Sequence, residues 1–367
     1  MNKIKLCIDA RVLQFESNGI SRYLRENVYN LCCYDNIEIF LISNRKILID
    51  KSLLSNNVHI IEDMKRTSIP GTVWLHVFMN GFLDSIKPNV YWGPNQILPF
   101  NKRKDIKYIL TAHDLVHVFY PETMTFLNKM IFNLSYGRSI KHADKILAIS
   151  ETTRNDFIKV NGIEFEDKIQ TIYLGGAEKF QRNSLFEDKE DKSIFILGSL
   201  EPRKNIAHFL DVFEEALKLD PEIKLYITGA EKWKSKDIVD RINSDILKSN
   251  VFLLGYLTDH EIENYLNKSK LFVFPSVYEG FGLPLIEAQG KILILASRIP
   301  VFEELNESFN NLNFLELSNS IFENAGYVID LLKNEKISEL KHDCIEKFTW
   351  KNSSNNLLET MFKLVNS

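Results

Sequence analysis

Ser193-Ile-Phe-Ile-Leu-Gly198-Ser-Leu-Glu-Pro-Arg203-Lys204-Asn205 runs from an apolar segment through a glycine into a polar, charged loop. Ile194 to Leu197 are all apolar, so a strand here is apolar on both sides, as a central parallel strand covered on both faces must be. Gly198 ends the run, and Ile206, Phe209, Leu210, Phe213 and Leu217 then recur at helical spacing. Strand, polar loop and amphipathic helix make one step of a doubly wound α/β domain. The step repeats along the chain. Strands are expected near Ile4–Asp9, Ile37–Ser43, Val58–Ile61, Asn89–Gly93, Tyr108–His113 and Lys145–Ser150. In the second half they are expected near Ser193–Gly198, Ile223–Gly229, Val251–Gly255, Leu271–Pro275 and Ile292–Ser297. Between the first two, Ile20, Leu24, Val28, Leu31 and Cys32 mark a helix. Such alternation implies parallel sheets with right-handed crossovers.

A chain of 367 residues suits two domains of this kind. The boundary is visible at 181–192, which is charged and without periodicity. It separates a unit of residues 1–180 from one of residues 193–345. Two doubly wound units joined this way leave a cleft between the carboxyl ends of their strands, where ligands bind in such sheets. With 45% hydrophobic and 26% charged residues the composition is that of an ordinary globular core. No apolar run reaches the ~18 residues that span a bilayer. The first residues read as a buried strand and not a secretory signal, and Cys7, Cys32, Cys33 and Cys344 read as buried free thiols. A cytoplasmic protein is expected. Residues 1–180 carry 23 Lys and Arg against 19 Asp and Glu, an excess of four; residues 181–367 carry 22 against 30, a deficit of eight. The basic half could face an anionic membrane surface, although scattered charge is the plainer reading. No basic–aromatic interleaving points to nucleic acid.

The second informative stretch is Ser276-Val-Tyr-Glu279-Gly-Phe-Gly-Leu-Pro-Leu-Ile-Glu287. A strand is expected to end at Pro275, and Pro284 suits the first turn of a helix. Gly280 and Gly282 let backbone approach a ligand, and the new helix start offers N–H groups to a phosphate. Glu279 and Glu287 can both accept hydrogen bonds from hydroxyls. The residues alone read as an anion and polyol site, or as solvated loop carboxylates.

The spacing of those glutamates around Gly-Phe-Gly-Leu-Pro resembles the E-x7-E signature of retaining glycosyltransferase family 4, whose members have the GT-B fold. Gly198–Asn205 resembles the family's first strand–loop–helix of the C-terminal domain. Thr111-Ala-His113-Asp-Leu115, followed by Pro121, resembles its His-Asp-Leu segment, and Asn18-Gly19-Ile20-Ser-Arg-Tyr23 its N-terminal glycine loop. Ala148–Glu151 and Phe348-Thr-Trp350 fall where the family has comparable stretches.

The resemblance implies two Rossmann-like domains facing across a cleft, with the final helix, from about Asn352, crossing back to the first. Glu279 would contact donor-sugar hydroxyls near the reacting carbon, and Glu287 the ribose. Backbone N–H groups of Phe281, Gly282 and Leu283 would take the diphosphate, and Arg203 and Lys204 would neutralise it. His113 would reach the donor sugar from the N-terminal domain. Gly19, followed by Ile20, would keep the first turn narrow for donor or acceptor. Ser199 stands where the family often has arginine, which leaves more to Arg203 and Lys204. The turn Ala288–Ile292 is shorter than usual, and 308–330 matches only loosely. Trp74, Trp92 and the Tyr91–Phe100 stretch read as core, and His117 and His142 as structural.

The implied reaction moves a hexose or deoxyhexose, mannosyl by preference, from a GDP- or UDP-linked donor to a hydroxyl, with retention. The acceptor is a glycan or lipid-linked acceptor at the inner membrane face, in bacterial surface polysaccharide synthesis. No Asp-x-Asp motif stands at a strand end, so no metal or other cofactor is expected. A GT-B-fold sugar-nucleotide epimerase or hydrolase, and a non-catalytic sugar-nucleotide-binding subunit, remain the alternatives.

Overall fold

The computed structural model describes residues 3–15, 18–120, 126–179, 190–229, 236–333 and 342–367; for 126–131, 191 and 342–344 the backbone alone is described. Pro121 therefore lies outside the described residues. The chain forms two compact units, Met1–Gly175 with Lys347–Ser367, and Gly176–Glu346.

In the first unit seven strands form one sheet: β1 (Ile4–Asp9), β2 (Ile37–Ser43), β3 (Val58–Glu62), β4 (Val90–Gly93), β5 (Lys107–Ala112), β6 (Lys145–Ala148) and β7 (Ile169–Thr171). Their order is β3-β2-β1-β4-β5-β6-β7 and every pairing is parallel. Strand order therefore reverses between β1 and β4. The helix Gly19–Leu31 starts on a capping box, in which Ser21 N–H donates to Asn18 Oδ1 at 2.7 Å and Asn18 N–H to Ser21 Oγ at 3.1 Å. Its Leu24, Val28 and Leu31 are fully buried. The last helix, Trp350–Asn366, belongs to this unit and packs on Gly19–Leu31. Ser354 Oγ donates to Asn27 Oδ1 at 2.9 Å, and Gln170 Nε2 to Thr360 Oγ1 at 3.0 Å. A Cβ on Gly175 would lie 2.2 Å from the Trp350 amide nitrogen, so the two ends of this discontinuous unit meet at a glycine.

The second unit has six strands, β8 (Glu190–Leu197), β9 (Lys224–Thr228), β10 (Val251–Gly255), β11 (Ser269–Phe274), β12 (Leu293–Ser297) and β13 (Leu312–Leu315), in the order β10-β9-β8-β11-β12-β13 and again all parallel. Here the reversal falls between β8 and β11. The helix Ile206–Leu219 buries Ile206, Phe209, Leu210 and Phe213, with Leu217 partly buried beside them, against a core that includes Val328 and Ile329 of the helix Ile321–Lys333. Both units are thus Rossmann-like.

The differences from the sequence reading have local causes. Strands β7 and β13 were not expected; each is short and closes one edge of its sheet, so neither carries a long apolar run. Of the supposed linker at 181–192, residues 181–189 lie outside the described residues, and Glu190–Lys192 instead begin β8. Charge disguises that strand, because Glu190 faces Lys224 at 2.7 Å. The final helix begins at Trp350 and not Asn352, since Thr349 is its cap and accepts from Asn352 N–H at 3.1 Å. Strand β5 stops at Ala112, which puts His113 in the loop, and β11 stops at Phe274, one residue before Pro275. Cys7 and Cys32 are buried but Cys33 is exposed, because it lies past the end of its helix; the Cys344 side chain lies outside the described ones.

Candidate functional site

Strands β8 and β11 run side by side with Ile194 opposite Leu271, Phe195 opposite Phe272 and Ile196 opposite Val273. They finish level, so the loops after Leu197 and Phe274 leave together at the point where strand order reverses. In open α/β sheets that is the ligand-binding edge. Val277 N–H donates to the Arg203 carbonyl at 3.0 Å and ties one loop to the other.

Two cations and a carboxylate meet there. The Lys204 stem lies over Gly198, where a Cβ would stand 3.4 Å from Lys204 Cδ, and its ammonium sits 4.8 Å from the Phe274 ring centroid. That ammonium is 2.6 Å from Glu279 Oε1, and Arg203 Nη1 is 2.6 Å from Oε2. Ser276 Oγ donates to Oε1 at 2.8 Å. Arg203 also donates to the Tyr278 carbonyl at 2.8 Å and to Glu201 at 3.0 Å. The Glu279 side chain is 11% exposed. Burial by itself would raise its carboxyl, but Lys204 and Arg203, helped by hydrogen bonds from Lys204 and Ser276, outweigh it and hold the group below the ordinary glutamate value. Glu279 is therefore an anion clamped between cations.

Gly282 caps the helix Leu283–Ala288 with φ +109°, and Pro284 stands in its first turn. A Cβ on Gly282 would lie 3.0 Å from Phe302 Cε1, in a conformation that L side chains rarely adopt. Phe281 is buried. Glu287 is 7% exposed and packs beside Gly176, where a Cβ would stand 3.8 Å from its Cγ. The structure brings Arg203, Lys204 and Glu279 into one cluster and sets Glu287 against the start of the second unit. Ser276, Glu201, Phe274 and Gly176 were missed in the sequence. Only Ser276 left a signal there, a hydroxyl three residues ahead of a carboxylate.

In the first unit His113 follows β5. Its Nε2 donates to the Pro94 carbonyl at 2.6 Å, and its own carbonyl accepts from Thr153 Oγ1 at 3.3 Å. Tyr23 meets the imidazole edge-on at 5.1 Å, and its hydroxyl lies 3.3 Å from Thr111 Oγ1. Thr111 Oγ1 also accepts from Trp92 Nε1 at 2.9 Å. Burial lowers the His113 pKa, against the Pro94 bond and the Asp114 charge, so the ring is neutral near pH 7. Gly19 opens its helix, and a Cβ there would meet nothing within 4 Å; Ile20 beside it is partly buried. His117 is buried against Phe132 and Tyr136. No group of three or more metal-ligating side chains occurs among the described residues, and none of their helices is long and apolar enough to cross a membrane.

A family model described as "Glycosyl transferases group 1" matches residues 177–349, nearly the whole second unit. The second unit is a group 1 glycosyltransferase domain. The chain is similar to O-antigen chain mannosyltransferase B of Escherichia coli, 24% identical over 78% of this chain and 80% of that one. It is also similar to the serotype-specific mannosyltransferase WbdA of Escherichia coli, 31% identical over 71% of this chain but only 40% of WbdA. Among solved structures, Anabaena HepE in complex with UDP and glucose shares 15% identity, covers 99% of this chain and 100% of its own, and gives a TM-score of 0.69. The fold of the glycosyltransferase is accordingly GT-B, with both Rossmann-like domains accounted for.

Proposed function

We propose that this glycosyltransferase is a retaining family 4 enzyme that moves a hexosyl group, mannosyl by preference, from a nucleotide diphosphate sugar to a hydroxyl of a glycan or lipid-linked acceptor. The observation that carries this reading is the Arg203–Lys204–Glu279 cluster at the strand reversal of the second unit. Diphosphate leaves as an anion when the glycosidic bond breaks, and fixed cations stabilise that growing charge without a metal. In same-face transfer the C1–O bond to phosphate breaks as the acceptor oxygen bonds to C1, and the acceptor proton passes to the departing phosphate. Arg203 and Lys204 receive the diphosphate with backbone N–H groups of Phe281, Gly282 and Leu283. Glu279 holds sugar hydroxyls, Glu287 the ribose, and His113 the sugar; Gly19 and Ile20 keep the turn after the first strand narrow, leaving room for donor or acceptor. The mannosyl preference leans on the names of the relatives, and HepE with its UDP supports a nucleotide diphosphate ligand. Polysaccharide synthesis on the cytoplasmic face of a membrane, with contact to anionic lipid through the basic first half, completes the reading.

The test is thermal stabilisation by GDP, UDP, GDP-mannose, UDP-glucose and UDP-N-acetylglucosamine, on wild type and on Glu287→Ala and Arg203→Ala. A ligand bound only by the folded state raises Tm with the logarithm of its concentration. One diphosphate should raise the wild-type Tm and both variants should lose most of that rise. No rise with any of the five at millimolar concentration would sink the donor-site reading. Product anomers read by NMR decide retention.

A further inference from the structure

The segment after β4 is built in a way that packing alone does not explain. Gly93 ends the strand, and a Cβ there would stand 2.7 Å from Leu98 Cδ2 and 2.8 Å from the Ile97 carbonyl, so the chain doubles back directly over it. Leu98 N–H is pinned by Ser139 Oγ at 2.8 Å. Between these fixed ends Gln96 takes φ +58°, a left-handed conformation that a residue with a Cβ adopts at a cost. Gln96 is 7% exposed; its Nε2 donates to the Asp114 carbonyl at 3.1 Å, and its Oε1 is buried without a hydrogen-bond partner. Strain and an orphaned acceptor thus fall on one buried residue. Both costs would disappear with glycine.

What the strained turn carries is the Pro94 carbonyl, which accepts from His113 Nε2 at 2.6 Å. Gln96 grips the main chain on the far side of the same histidine, at Asp114. The imidazole is therefore framed by one short loop, which sets its tautomer: Nε2 holds the proton, and Nδ1 is left as an acceptor with no hydrogen-bond partner among the described residues. We infer that Gln96 is a positioning residue for His113, holding the loop after β4 so that the imidazole presents an unprotonated Nδ1 to a donor-sugar hydroxyl. This inference rests on the assignment of His113 to the sugar in the proposed function.

The experiment uses the full chain with 15N-labelled histidine, in wild type, Gln96→Gly and Gln96→Glu, the His113 signals being assigned with His113→Gln. Glycine keeps the left-handed turn and removes the amide. Glutamate keeps the shape but replaces the N–H donor facing the Asp114 carbonyl. Long-range 1H–15N spectra read the tautomer. Release of GDP or UDP from GDP-mannose, UDP-glucose and UDP-N-acetylglucosamine reads turnover. Wild type should show a single Nε2–H tautomer at His113. Gln96→Gly should show a mixture, with Tm equal to or above wild type, unchanged KM for the donor and kcat lower by about tenfold or more. Gln96→Glu should share the loss of turnover. An unchanged tautomer with unchanged kcat in both variants overturns the inference. So does a lowered Tm in Gln96→Gly with the wild-type tautomer retained, since Gln96 is then only structural. A shifted tautomer with unchanged turnover upholds the positioning and overturns instead the assignment of His113 to the reaction.

Discussion

Lys204 and Glu279 meet at 2.6 Å although they belong to loops 75 residues apart, and the other oxygen of the same carboxylate is held at 2.6 Å by Arg203. The cations assigned to a diphosphate are thus already engaged by an anion of the chain. On the proposed function, a diphosphate entering there would exchange one anion for another and would not fill an unbalanced site. Glu279 supplies the balancing charge that lets two cations share a half-enclosed edge.

Removal of that charge separates binding from chemistry. Glu279→Gln should lower stability by about 2–4 kcal/mol, because poorly exposed Lys204 loses this counter-charge and Arg203 is left with Glu201. The Tm rise produced by GDP or UDP should be larger in this variant than in wild type, while sugar release falls at least about 100-fold. A titration in which the variant gains less from the nucleotide than wild type does would contradict the exchange of anions.

Three glycines should rank in severity by what a Cβ would meet. At Gly229 (φ +145°) it would stand 2.1 Å from the Gly198 carbonyl oxygen, and backbone cannot yield; Gly229→Ala should cost more than about 3 kcal/mol. At Gly282 the neighbour is Phe302 at 3.0 Å, a side chain that can give, and about 1–3 kcal/mol is expected. Gly19→Ala meets nothing and should change stability by less than about 0.5 kcal/mol. Urea midpoints check the order.

The legibility of the molecule follows the same physics. Central strands such as β1 and β2 could be located in the sequence to the residue, because burial on both faces forces apolar runs there. Helix Ile206–Leu219 showed itself by its stripe. Edge strands β7 and β13 are short, and the start of β8 is charged, so no pattern gave them away. In the site, Arg203, Lys204, Glu279 and Glu287 stood out because their loops carry glycine and proline at fixed offsets. Ser276, Phe274 and Gln96 did not. A hydroxyl, a ring or an amide becomes informative only when the fold shows what it touches, and Gln96 is marked by a backbone angle that no residue type announces.

Acid should weaken the protein in two stages. Burial lowers the pKa of His113, His117 and His76, the last to about 4, from an ordinary value of 6.5. The unfolded chain then binds more protons below about pH 6.5, so stability is flat above that pH and falls beneath it. Each proton of difference steepens the fall by about 1.4 kcal/mol per pH unit. Glu279, held below its ordinary value, contributes stability above that value and loses it as pH drops further. Urea midpoints from pH 8 to pH 4 should show a plateau followed by a decline, and His113→Gln should make the decline shallower. A curve that rises on acidification to pH 5 would refute the neutral buried imidazoles.

Thr111 Oγ1 is the acceptor for Trp92 Nε1 and the neighbour of the Tyr23 hydroxyl. Thr111→Val keeps the shape and strands a buried indole N–H, at a cost of about 1–3 kcal/mol. Equal urea midpoints for the variant and wild type would show that the indole finds another partner.

The helix Trp350–Asn366 closes the first unit from the far end of the chain. On the ribosome, residues 1–175 emerge long before the element that meets Tyr23 and Asn27 exists, and the whole second unit is made in between. The nascent first unit must wait with that face open, while the second can settle as soon as its own residues are out. Between the two units, synthesis order thus runs opposite to completion order: the unit begun earlier is the unit completed later.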